Sequence, residues 1–304
     1  MSLQHIEKNS ENVYIFCVAG LKIEIHAPFK LFIGKGFDKY ICAASNYDSS
    51  ESVRIDVKRM KEVERPKGTL RGTDMLLEYY SSDNNNEIVW CCEAPGKFGA
   101  VTRALYTEDF KRISYEINEK SYPRHITSID KVMQLFPMRQ LLFAKKIFLL
   151  HSSQAVINGR GILFTGDSGV GKTTQAQLLE KLYQAEITCN DRTAIVKRGD
   201  VWRTYGFPID GSSPINHTGS WKLAAIVVLE QKKNNQISRY SGMSAVKDLM
   251  RQMMIDTWNY QMCAEMAWRV IDLLADIPVY RLECTADGRA ADCLMEQLRK
   301  DGII

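Results

Sequence analysis

The chain has 304 residues, 45% of them hydrophobic and 25% charged, with a formal net charge of +4. That length has room for two domains, and the composition is that of an ordinary globular protein. So small a charge gives no basic stripe for nucleic acid, and the longest apolar runs, such as 223–229, fall far short of a bilayer span.

Neither nucleic acid nor membrane is therefore expected as a partner. The first residues, MSLQHIEK, hold no apolar core of signal-peptide length. Cysteines stand at 17, 42, 91, 92, 189, 263, 284 and 293, and none forms a C-x-x-C pair. Metal-finger and thioredoxin readings fail on that spacing, and a reduced, cytoplasmic enzyme is the expectation.

Residues 12 to 120 read as mostly strand. Residues 13–18 (VYIFCV) lead through Ala19-Gly20 into LKIEI, which alternates apolar and polar, as does VRIDV at 53–57. MLLEYY and IVWCC flank the polar run 81–86, which suits a hairpin loop. Residues 100–106 and 112–117 add two more short strands. A small β-rich N-terminal domain over 1–125 is expected, followed by a second domain over 126–304. The first holds no catalytic constellation; His26 and Glu24 share one face of a strand, which reads as a solvated face.

The period changes at 130–146, where Val132, Met133, Leu135, Phe136, Leu142 and Phe143 suit a helix capped by Ser128 and bent near Pro137. IFLLH at 147–151 reads as a strand ending on a histidine. AVI at 155–157 precedes Asn158-Gly159, a two-residue hairpin turn signal. That hairpin delivers the strand GILFT and then Gly166-Asp167-Ser168-Gly169-Val170-Gly171-Lys172-Thr173, which fits the phosphate-loop pattern G-x-x-x-x-G-K-[S/T] at every fixed position. Ala176, Leu179 and Leu182 recur at helical spacing behind it. Strand, glycine loop and helix together aim backbone N–H groups and a helix N-terminus at a phosphate. Residues 166–174, ending on Thr174, are the expected nucleotide contacts, with Lys172 on the outer phosphates and Thr173 on Mg²⁺.

Downstream, EITC reads as a strand that stops at Asn190-Asp191-Arg192, TAIVK resumes it, and VWRTY is the next strand. Residues 206–220 form a long Gly/Pro/Ser loop. Residues 223–229 read as a buried strand ending on Glu230. Residues 244–274 read as helical, with a methionine and tryptophan stripe assigned to core packing. PVYRLEC is the last strand and 288–300 the closing helix.

Phosphoryl transfer also needs a carboxylate to hold Mg²⁺ or to take the acceptor proton, and Asp191 is the leading candidate, with Glu230 its rival. A turn aspartate is the alternative reading of Asp191, since Asn-Asp is common turn chemistry. His151 ends a strand beside the phosphate-loop strand, within reach of the γ-phosphate or the base, and reads equally as a structural histidine. Arg192, Arg203, Lys222 and Arg239 are unranked phosphate clamps.

Leu150-His151 through Asn158-Gly159, Gly166 to Thr173, and Asn190-Asp191-Arg192 together resemble the catalytic core of HPr kinase/phosphorylase. That family has a histidine on the strand before its phosphate loop and a D-D pair after the following strand. The resemblance implies an α/β fold: a P-loop kinase domain of the HPr kinase/carboxykinase type with a mixed sheet, here preceded by the β-rich domain. It implies ATP and Mg²⁺ as cofactors, Asp191, His151 and Lys172 as catalytic residues, and Thr173 and Asp191 as metal ligands. It also leaves room for a homo-oligomer. The chain departs from the family where the D-D pair reads Asn190-Asp191 and where its L-E-x-R-G-x-G signature is not visible. Shortened relatives of this type resemble kinases that modify peptides in natural-product gene clusters. The expectation is an ATP-dependent kinase acting on a serine or threonine hydroxyl of a peptide or small protein. The alternatives are a small-metabolite (free-serine) kinase, a carboxykinase-like enzyme, or a non-catalytic nucleotide-binding switch. A carboxykinase needs a second metal site, and of five histidines only His151 and His217 fall in the nucleotide domain.

Overall fold

The structure, a computed structural model, describes residues 11–42, 52–74, 77–81, 88–93, 101–107, 109–208 and 215–304. Most of the polar run 81–86 and the centre of the 206–220 loop lie outside the described residues. The chain is mixed α/β, with two sheets and six α-helices among the described residues. None of those helices is long and apolar enough to cross a membrane. Two compact units divide the chain, Met1–Ala144 and Lys145–Ile304.

The first unit holds β1 (Asn12–Val18), β2 (Leu21–Ala27), β3 (Ser52–Met60), β4 (Thr69–Asp74), β5 (Leu77–Ser81), β6 (Ile88–Glu93), β7 (Val101–Tyr106) and β8 (Arg112–Asn118). They form one sheet in the order β1-β2-β3-β8-β7-β6-β5-β4. The alternation read from the sequence is what this sheet uses. Leu21, Ile23, Ile25 and Ala27 are buried on one face of β2, while Lys22, Glu24 and His26 take the other. The division between units falls later than the expected 125/126 boundary. Helices α1 (Ile129–Gln134) and α2 (Met138–Ala144) belong to the first unit, where the Tyr115 hydroxyl donates to the Leu135 carbonyl and Arg139 pairs with Asp74 at 2.6 Å. Ser128 caps α1 through the Lys131 N–H, and Pro137 separates the two helices. Cys17 and Cys42 are joined by a disulfide, so the expectation of a fully reduced chain is not met.

The second unit carries β9 (Phe148–Ile157), β10 (Arg160–Thr165), α3 (Lys172–Tyr183), β11 (Glu186–Arg198), β12 (Val201–Gly206), β13 (Ser220–Gln231), β14 (Gln236–Arg239), α4 (Gly242–Gln252), α5 (Tyr260–Asp276), β15 (Val279–Cys284) and α6 (Gly288–Lys300). Its sheet runs β10-β9-β11-β12-β13-β15-β14, and β10 pairs in addition with β13. Asn158 (φ 51°) and Gly159 (φ 73°) turn the β9–β10 hairpin in the left-handed conformation that their sequence signals. β10 thus lies between β9, antiparallel, and β13, parallel. Helices α3 and α6 bury Ala176, Leu179, Leu294 and Leu298 against Phe164 and Val227 of the sheet. Each of the leucines contributes about 1.5–3 kcal/mol on burial, and Ala176 less.

Three expectations are corrected here. β9 does not end at His151: Ser152, Ser153 and Gln154 continue it, buried and hydrogen-bonded across to Thr193, Asn190 and Thr188. Each of the three makes a side-chain hydrogen bond inside the sheet, although Gln154 Oε1 stays buried without a partner, and this cross-strand bonding lets the triplet continue the strand. β11 does not stop at Asn190-Asp191-Arg192 either; it runs through them, with its register shift to β9 placed earlier, between Ile187 and Cys189. The 244–274 helix is two helices, because Met253 forms a β-bridge with Leu150 and Asn259 caps a new start by accepting from the Met262 N–H. Along them Met253, Met262 and Met266 are buried as expected, whereas Trp268 is exposed.

Candidate active site

β10 ends at Thr165, and residues 166–171 carry the chain into α3. Gly166 has φ 138°, and a Cβ there would stand 3.1 Å from the Leu229 carbonyl oxygen and 3.2 Å from Val170 Cγ1. Gly171, at φ 105°, occupies the cap position of α3. Both positions demand glycine, so the pattern's fixed glycines have local physical causes. Asp167, Ser168 and Gly169 are exposed at the tip, Val170, Thr173 and Thr174 are half-buried, and Lys172 is buried.

The Lys172 ammonium donates to the carbonyls of Gly166, at 3.0 Å, and Asp167, at 3.1 Å. Burial pushes its pKa down, opposed by the charges of Asp191 and Asp167. The Thr173 hydroxyl donates to Asn190 Oδ1 at 2.7 Å, and the same oxygen accepts from Ser153 at 2.6 Å. Asn190, which the sequence marks as an acid lost, is thus the residue bonded to the loop threonine.

Asp191 is held from two sides, by Arg192 Nε at 3.1 Å and His151 Nε2 at 3.7 Å. Burial and the Lys172 charge push the His151 pKa down; Asp191 and a hydrogen bond with Gln252 work against them. Gln252, the last residue of α4, also donates to Asp167 Oδ1 at 3.3 Å. His151, Lys172 and Asp191 therefore form one electrostatic cluster, with Gln252 linking α4 to the loop. No sequence signal marks Gln252, because its position depends on where α4 ends.

A cavity of about 350 Å³ adjoins the loop, walled by Asp167, Glu230, Asp248, Arg251, Gln252 and Arg281. Arg281 lies over the Tyr240 ring at 4.1 Å and donates to its hydroxyl, which in turn donates to Asp248. Glu230 pairs with Lys232 at 2.7 Å, and that bond holds its carboxyl below the usual range. Of the expected clamps only Arg192 stands at the cluster. Lys222 lies opposite both Arg160 and Arg203, at the end of β10 away from the loop, and Arg239 is engaged by Asp301. His217 bonds the Glu186 side chain and its N–H donates to the Thr188 carbonyl, whereas His151 lies opposite Arg192, four positions beyond Thr188 along β11, so the two histidine backbones are about 13 Å apart, with the His217 ring turned further away. They cannot share a metal.

The family model described as "SynChlorMet cassette protein ScmC" matches residues 116–299. No curated protein matches the sequence. Among solved structures, the HPr(Ser) kinase/phosphatase from Coxiella burnetii is 13% identical, at a TM-score of 0.31, over 51% of this chain and 89% of that one.

Proposed function

The chain belongs to the SynChlorMet cassette protein ScmC family, and we propose that it is an ATP- and Mg²⁺-dependent kinase that phosphorylates a serine or threonine hydroxyl of a peptide or small protein. The observation that carries this reading is the glycine loop at the N-terminus of α3, with Lys172 folded onto it and His151 and Asp191 beside it. A loop of this kind offers phosphate a ring of backbone N–H groups and the positive end of a helix.

The donor set fits a hard cation. Thr173 Oγ1 and Asn190 Oδ1, hydrogen-bonded to each other at 2.7 Å, are oxygen donors of the kind Mg²⁺ takes, and an ion bound there would replace that hydrogen bond. Thr173 and Asn190, with Asp191 next in the strand, would hold Mg²⁺, which supplies charge neutralisation at the phosphates. Lys172 exchanges the two loop carbonyls for phosphate oxygens and stabilises charge on the transferred group. Asp191 takes the proton of the acceptor hydroxyl, with Arg192 and His151 fixing its carboxylate. The acceptor enters through the cavity beside the loop, whose volume suits a few side chains rather than a folded domain.

Glu230 lines that cavity and supports a second reading in which it is the base. Peptide phosphorylation by wild type, Asp191→Asn and Glu230→Gln decides between them, with the other products of the cassette as the first acceptors. Asp191→Asn is expected to abolish transfer and leave ATP affinity within a few-fold. Normal transfer by Asp191→Asn removes it as base. Turnover with free serine or oxaloacetate and no peptide present points instead to a metabolite enzyme.

A further inference from the structure

In the first unit, on the polar face of its sheet, three potential metal ligands converge. Glu11 precedes β1, His26 lies on β2 and Asp56 on β3, where His26 and Asp56 stand directly opposite each other. One ligand atom from each lies within 4.8 Å of the other two. His26 Nε2 is 3.4 Å from Glu24 Oε2. A carboxylate only accepts, so with the ring neutral and Nε2 donating to Glu24, Nδ1 is the nitrogen that offers a lone pair. Nδ1 is buried and has no hydrogen-bond partner, and its nearest charged neighbour is Glu11 Oε1 at 3.3 Å. Nδ1 thus faces a carboxylate oxygen, an arrangement that calls for a positive centre between the two, either a ring proton or a metal ion.

We propose that Glu11, His26 and Asp56 form a binding site for a divalent transition-metal ion of the Zn²⁺ class, with Glu24 orienting the imidazole from behind. The separation of His26 Nδ1 from Glu11 Oε1 matches the edge of about 3.3–3.4 Å between tetrahedral ligands bound at about 2.0–2.1 Å. Glu24–His26–metal is the arrangement by which a carboxylate fixes the tautomer of a ligating histidine. Lys22 holds the other Glu24 oxygen at 2.6 Å and so keeps that carboxylate out of the first coordination sphere. Arg54 is the competing cation: its Nε bonds Asp56 Oδ1 at 2.6 Å and its Nη2 lies 3.9 Å from Glu11. It leaves the second Asp56 oxygen open to an ion. One nitrogen and two carboxylates are a mixed set that suits Zn²⁺ better than Mg²⁺ or Ca²⁺. Three protein ligands leave a fourth position for water.

Calorimetric titration of the full chain with Zn²⁺ tests the site against His26→Gln and Glu11→Gln. The second variant stands at an exposed position and keeps the test valid if the first fails to fold. Each is expected to weaken one Zn²⁺ equivalent by about tenfold or more. Co²⁺ in wild type is expected to give the d–d absorption of a low-coordinate nitrogen and oxygen site, without the charge-transfer bands of thiolate ligation. Equal Zn²⁺ affinity and stoichiometry in all three proteins, or thiolate bands for the equivalent in question, overturns the proposal.

Discussion

Replacing Asn190 by leucine removes one oxygen that serves two hydroxyls, Ser153 from β9 and Thr173 from α3. The side chain keeps its approximate shape, so the cost is largely in hydrogen bonds. Ser153 is 1% exposed, and a buried donor left unsatisfied costs about 1–3 kcal/mol. Thr173 is half-buried; water can replace its partner, and the loss there is about 0.5–1.5 kcal/mol. The sum is about 1.5–4.5 kcal/mol, or about 3–18 °C in Tm for a unit of this size. Thermal unfolding followed by tryptophan fluorescence reads it, since Trp202, Trp221, Trp258 and Trp268 all lie in the second unit. The double variant Ser153→Ala/Asn190→Leu is expected to regain about half the loss, because removing both partners leaves no orphan. Asn190→Asp is expected to keep the stability, as a carboxylate accepts both bonds. An Asn190→Leu Tm within about 2 °C of wild type, where ordinary surface substitutions fall, would refute the bridging role.

Lys172→Ala, which removes the ammonium folded onto the loop, is expected to weaken Mg²⁺-ATP binding by about 30-fold or more in calorimetry, in line with a charge-assisted phosphate contact. Gly166→Ala is expected to destabilise by about 1–3 kcal/mol, measured by denaturant titration, because alanine is strained at φ 138° and its Cβ meets Leu229. The His151 imidazole is expected to titrate below its ordinary 6.5 in NMR. Since the folded chain takes up that proton later than the unfolded one, its share of stability is full above 6.5. That share is lost as pH falls from there through the lower folded value. Lys172→Ala should move the His151 midpoint up and Asp191→Asn should move it down; a shift in the same direction for both contradicts the charge arrangement.

The sequence made the backbone of the site legible and its side-chain partnerships much less so. Gly166, Gly171, Lys172 and the Asn158-Gly159 turn are fixed by local conformational rules, and local rules are what a sequence displays. Ser152, Ser153 and Gln154 look like a strand break because their hydrogen-bond partners lie on β11, far along the chain. Which of Asn190 and Asp191 meets Thr173 depends on the register shift between Ile187 and Cys189, which no residue type announces. The split at residues 253–259 depends likewise on a tertiary bridge from Met253 to Leu150. In the first unit, His26 looked like a solvated histidine because Glu11 and Asp56 reach it only through pairing of neighbouring strands.

The most direct measurement of the proposed activity is transfer of labelled γ-phosphate from ATP in the presence of Mg²⁺ to serine- and threonine-containing peptides, with wild type and Asp191→Asn side by side. Label on a serine or threonine of one peptide with wild type, and none with Asp191→Asn, is the expected result. Tight Mg²⁺-ATP binding by both proteins with no label on any of those peptides would contradict the kinase assignment and leave a nucleotide-binding switch in its place.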